Sequence, residues 1–144
     1  MNKMQKSLDY YWQWRKRTLD KMMEWCKDNS ISVSYESNPK SEENLNADGL
    51  CYYSINPNDD LKDLKNYRIV IRKDSLSHER EFYVFAHEIG HILAISSNKD
   101  ISEDAADKFG AEFLISICSN DDKENHHIKY AINRMRKTRL GKPL

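Results

Sequence analysis

Val84-Phe85-Ala86-His87-Glu88-Ile89-Gly90-His91-Ile92-Leu93 carries an H-E-x-x-H pentapeptide, residues 87–91, inside an apolar run with helical spacing. Phe82, Phe85, Ala86, Ile89 and Leu93 recur at i, i+3, i+4 and i+7, the signature of a helix. Val84, Ile92 and Ile95 widen the apolar surface, so that most of this helix is expected to be buried. Residues four apart on a helix lie about 40° from each other around the axis. His87 and His91 therefore present both imidazoles to one side, within reach of a single Zn2+ at roughly 2.0–2.1 Å. Glu88 is placed to hold a water on such a metal and take its proton. The bland alternative is a core helix with two hydrogen-bonded histidines, but two histidines and a glutamate are costly to bury without a compensating partner.

A catalytic zinc keeps three protein ligands and one open position, so two histidines leave one ligand to find. After a polar link, Ser96-Ser97-Asn98-Lys99-Asp100, residues 101–117 read as a second helix, with Ser102 as N-cap and acids in the first turn. Ala106, Phe109, Phe113 and Ile117 form its expected core stripe, and Glu103, Asp107, Gly110 and Leu114 an adjoining face. Glu103 is the candidate third ligand. If it faces the metal, Glu112 cannot, because about 900° of rotation separates the two. Asp107, one turn on, is placed to accept a hydrogen bond from the far nitrogen of a liganding histidine and fix its tautomer. Gly110 would let the two helices approach closely. Asp104 competes for either role, and Glu103 and Asp104 also suit a helix N-terminus with no metal at all.

These two helices resemble those of the ImmA/IrrE family of gluzincin-type zinc peptidases. That family shows a hydrophobic-x-x-A-H-E-[LI]-G-H-x-L helix, matched here by Val84 to Leu93, and a following helix matched by Glu103 to Leu114. Ala105 stands where the family often has a second acid and Gly110 where it often has Ala. The resemblance implies His87, His91 and Glu103 as zinc ligands and Glu88 as general base. It implies a zincin-like fold in which an edge strand beside the active helix pairs with an extended substrate, by β-addition. It further implies a zinc metalloendopeptidase that makes a specific cut in a regulatory protein, such as a repressor. Any DNA-binding partner would be a separate chain, since no helix-turn-helix is evident. The alternative is a non-proteolytic regulator that uses the peptidase fold to bind a repressor or toxin.

Working outward, residues 1–30 hold a long helix, with Leu8, Tyr11, Trp12, Leu19, Met22, Met23 and Cys26 mainly on one side. Its aromatics suit core packing or a docking surface. Residues 31–75 hold a small sheet. Ile31–Tyr35 alternates, Leu50–Ile55 is a second strand candidate, and Tyr67–Arg72 is the strongest. Polar residues 36–49 and the turn Asn56–Asp60 separate them. Residues 79–118 carry the two zinc-site helices. Residues 124–144 form a basic C-terminal helix candidate, whose solvated basic face is its default reading. His126 or His127, or one of Tyr52, Tyr53 and Tyr83, is a candidate electrophile for a tetrahedral intermediate. The expected class is α+β, a small, mainly antiparallel sheet packed on a helical layer with the H-E-x-x-H helix.

At 144 residues the chain is expected to form one domain. Its formal net charge of zero argues against direct nucleic-acid binding. It has no apolar run of the roughly 18–20 residues that a membrane span needs, and no signal-peptide core. Cys26, Cys51 and Cys118 are scattered and odd in number, fitting small core residues in a reduced, cytoplasmic protein.

Overall fold

Ile69-Val70-Ile71 is a continuous apolar run of β-branched residues, the composition of a strand covered on both faces. All three are fully buried, and the strand that carries them is the centre of the sheet. The computed structural model describes residues 3–37, 49–52, 67–72, 78–98 and 100–118, with Lys129 and Asn133 as isolated positions. Along these residues run α1 (Lys3–Asp28), β1 (Ser32–Glu36), β2 (Gly49–Tyr52), β3 (Arg68–Arg72), α2 (His78–Asn98) and α3 (Glu103–Ile117). The architecture is α+β, as the sequence predicts.

The sheet is mixed rather than mainly antiparallel. Its order is β1-β3-β2, with β3 parallel to β1 and antiparallel to β2. The strands alternate in direction along the chain, as expected of a meander, but β3 inserts between the first two. Strand spacing and alternation carry no information about that insertion.

Helix α1 ends in a left-handed cap. Ser30 has φ 59°, the Ile31 amide donates to the Cys26 carbonyl at 2.8 Å, and the Ser30 amide donates to the Lys27 carbonyl at 3.1 Å. The turn delivers Ile31 into the core and starts β1. The packed face of α1 differs from the expected one. Trp14, Arg15, Thr18, Met22 and Cys26 are buried, whereas Trp12 and Met23 are exposed at 44% and 41%. Large apolar residues flank the Met22–Cys26 line on both sides, Trp14 and Trp25 on one and Trp12 and Met23 on the other, so periodicity alone does not select the packed flank. Tertiary contacts do: Trp25 meets Phe113 edge to face at 5.1 Å, and Lys21 Nζ donates to the Ile117 carbonyl at 2.8 Å.

Helix α2 runs on through Ser96, Ser97 and Asn98, which the sequence reading placed in a link. The Ser96 hydroxyl donates to the Leu93 carbonyl at 3.2 Å, so this serine extends the helix while bonding back to it. Helix α3 begins at Glu103 behind the expected N-cap, Ser102, whose side chain accepts from the Ala105 amide at 3.1 Å. Its buried side is Ala105, Ala106, Asp107, Gly110, Phe113 and Leu114. Phe109 and Ile117, expected in the core stripe, are half-buried. Close contact with α2 runs through the small residues Ala106 and Gly110 and turns that face inward.

The thiols of Cys26 and Cys51 are pushed up by burial, and all three cysteines are free, which suits packing rather than reactivity. No helix among the described residues is long and apolar enough to cross a membrane. The basic helix expected over 124–144 apart from Lys129 and Asn133, His126 and His127, the Asn56–Asp60 turn, Tyr53, the side chains of Leu8, Tyr11 and Phe82, and most of the loop over 36–49 lie outside the described residues.

Candidate metal centre

Helix α2 presents three different faces within two turns. Phe85, Ile89 and Ile92 enter the hydrophobic core. His87 and His91 turn toward α3, their rings edge to face with centroids 4.7 Å apart. Val84 and Glu88 turn toward β2, where a β-carbon built on Gly49 would lie 3.3 Å from Glu88 Cγ.

Two glycines set how near α3 comes. A β-carbon on Gly90 would stand 1.9 Å from the Ala106 carbonyl oxygen, and one on Gly110 would stand 2.6 Å from that of Ala86. The two helix backbones are therefore in direct contact, which only glycine permits at both places. Gly110 was legible in the sequence as a close-approach residue. Gly90 was not read that way, although it lies between the two histidines on the helix that Gly110 faces.

This approach brings α3's first turns onto the histidines. Glu103 Oε2 lies 2.6 Å from His87 Nε2 and 3.2 Å from His91 Nε2. His87 Nδ1 donates to Asp107 Oδ1 at 2.8 Å. The histidine side chains are 15% and 13% exposed, while Glu103 is 57% exposed, so Glu103 reaches in from the solvent side. One ligand atom from each of His87, Glu88 and His91 lies within 4.8 Å of the others. Two imidazole nitrogens and a carboxylate oxygen thus converge, with a second carboxylate beside them. That donor set suits zinc.

The electrostatics differ at each group. Burial lowers His87, but hydrogen bonds to Asp107 and Glu103 and the charge of Glu88 outweigh it and hold the imidazole up at about 9. Burial and the neighbouring His87 charge hold His91 below its ordinary value, against the pull of Glu103. Burial raises Glu88 to about 7; His87 opposes that rise and Glu103 adds to it. Glu88 Oε2 is buried and has no hydrogen-bond partner among the described residues. An orphaned buried acceptor is costly, and its place beside two histidines fits an oxygen held ready for an incoming proton.

The structure thus brings His87, Glu88, His91, Glu103 and Asp107 together. Asp104, the competitor for Glu103, is exposed in the first turn of α3. Among the candidate electrophiles, Tyr83 is buried in the core cluster. Tyr52 faces away from α2, because β2 alternates and Gly49 faces toward it; the Arg68 guanidinium lies over the Tyr52 ring at 4.5 Å.

A peptidase M78 family model, described as the IrrE N-terminal-like domain, matches residues 41–134, more than half of the chain. The match includes β2, β3, α2 and α3; α1 and β1 precede it. No curated protein and no solved structure matches the chain.

Proposed function

The chain belongs to the IrrE N-terminal-like peptidase family, and from that premise we propose that it is a zinc metalloendopeptidase that makes a specific cut in a regulatory protein, such as a separate DNA-binding repressor. The observation that carries this reading is the convergence of His87, His91 and Glu103 beside the orphaned Glu88 carboxylate oxygen.

In this reading His87, His91 and Glu103, whose Nε2 and Oε2 atoms converge, would hold zinc. Asp107 keeps the His87 ring in the Nδ1–H tautomer, leaving Nε2 free to ligate. Zinc bound there would lower the pKa of a water and polarise a peptide carbonyl. Glu88 Oε2 takes the proton of the attacking water and returns it to the leaving amine. Its burial beside the histidines raises its affinity for a proton, which favours acceptance from the attacking water. Strand β2, at the sheet edge beside Glu88, is the strand to which an extended substrate would add.

Elemental analysis of the purified chain tests the site. About one zinc per chain is expected for three protein ligands and an open position. Glu103→Ala should lose or greatly weaken it, and Glu88→Gln should keep it. Incubation with candidate repressors, followed by mass spectrometry of the products, tests the activity. Glu88→Gln should lower cleavage by about 10²–10⁴-fold. No zinc uptake by the wild type, even with zinc supplied, would overturn the proposal. Tight repressor binding with no cleavage, equal in Glu88→Gln, would replace it with a non-proteolytic regulator.

A further inference from the structure

Strand β2 opens at Gly49 and pairs with β3 on one side only, at the edge of the sheet among the described residues. A β-carbon on Gly49 would stand 2.4 Å from Val84 Cγ1 and 3.3 Å from Glu88 Cγ. Carbon atoms rest at about 3.5–4.0 Å, so a single methyl group here demands a displacement of roughly 1 Å. Val84 cannot swing aside easily, because a β-branched side chain on a helix is held to one strongly preferred rotamer. The Gly49 backbone is not left-handed, so the requirement for glycine is one of space. The missing side chain lets the edge strand rest on the two successive turns of α2 that carry Val84 and Glu88.

We propose that Gly49 and Val84 are positioning residues for the peptidase reaction. Their contact sets the distance from the edge of β2 to Glu88, and so where a peptide paired to that edge presents its scissile carbonyl. The proposal rests on the peptidase reading above. Main-chain hydrogen bonds hold such a peptide, and its placement follows the strand it adds to. A misplacement of about 1 Å costs on the order of 10²-fold in rate, comparable with the shift one methyl would force.

The test uses the zinc-loaded full chain and two probes, acetohydroxamate and a hydroxamate-capped trialanine peptide. The first reports the metal alone; the second adds an extended backbone. Affinities are measured by calorimetry alongside zinc content. Wild type should prefer the peptide hydroxamate by at least about tenfold, through pairing with β2. Gly49→Ala should lose most of that preference while zinc content and acetohydroxamate affinity stay as in wild type. Gly49→Ala combined with Val84→Ala, which removes the obstructing Cγ1, should restore it, and a role in stability alone would not separate the two probes in this way. An unchanged preference in Gly49→Ala, a loss that the double variant does not restore, or no preference in wild type would overturn the proposal. If Gly49→Ala alone does not fold, the double variant decides: a retained peptide preference supports the pairing, and its loss with zinc still bound overturns it. A wild-type chain that binds neither zinc nor either hydroxamate would instead overturn the peptidase reading itself.

Discussion

His87 holds two carboxylates at once, Asp107 on Nδ1 and Glu103 on Nε2, and is cationic at neutral pH as a result. A zinc ligand must be a neutral imidazole, so loading the metal displaces the Nε2 proton. Zinc binding at pH 7 is expected to release on the order of one proton per chain, measurable by calorimetry in buffers of different ionisation enthalpy. The release should shrink above pH 9, where His87 is already neutral. Release that does not vary with pH would contradict this assignment. In the proposed site Asp107 would act through the His87 ring, which it hydrogen-bonds, and not on the metal. Asp107→Ala should therefore weaken zinc affinity by roughly 10–100-fold without abolishing it, in competition with a chelator. Glu103→Ala, which removes the proposed third ligand, should weaken it more.

At the scale of elements, the site depends on how closely α2 and α3 pack. Gly90→Ala would drive a methyl into the Ala106 carbonyl, 1.9 Å away, and backbone cannot yield as a flexible side chain does. We expect Gly90→Ala to destabilise the metal-free chain by about 1–3 kcal/mol or more, and to weaken zinc binding by moving Glu103 off the histidines. Gly110→Ala, at 2.6 Å from its neighbour, should do the same to a smaller extent. Urea denaturation and chelator competition measure the two effects. The cap of α1 supplies a contrast. Ser30 adopts a left-handed backbone that suits glycine, so Ser30→Gly should stabilise the chain by up to about 1 kcal/mol. It should leave zinc affinity unchanged, because Ser30 is exposed and lies outside the two helices that carry the metal-site residues.

For the whole molecule, the site carries a pH dependence of stability. Glu88 rises from an ordinary 4.5 to about 7, and His87 from 6.5 to about 9. Both folded values lie above the unfolded ones. Their stabilising contributions are therefore complete below pH 4.5 and 6.5 respectively, and are lost as pH climbs through about 7 and about 9. His91 is shifted the other way, and its contribution is present above 6.5 and lost as pH falls through its lowered value. Through His87 the metal-free chain should lose stability as pH rises from 6.5 to about 9, and Glu88→Gln should remove the Glu88 part of the profile, which lies between 4.5 and about 7. Thermal melts across pH check this; equal slopes in the two proteins would contradict it. Helix α1 precedes the family match, yet Trp25 on Phe113 and Lys21 on the end of α3 tie it to the metal-site helices.

Much of the site was legible in the sequence because it is local. H-E-x-x-H chemistry follows from helical periodicity, and periodicity is a property of neighbouring residues. The same holds for Ser102 as N-cap and for Glu103 and Asp107 one turn apart on the next helix. The expected strand segments and the α+β class were also readable, since Ile69-Val70-Ile71 identifies a buried strand wherever it pairs. Tertiary structure alone decided the insertion of β3 between β1 and β2, the packed side of α1, and the approach that brings Glu103 and Asp107 onto His87. It also decided that Gly49 lies against Val84, far apart in the chain. These depend on which surfaces meet across long sequence separations. Shape and backbone clearance choose among such pairings, and hydrophobic spacing along one element does not encode them.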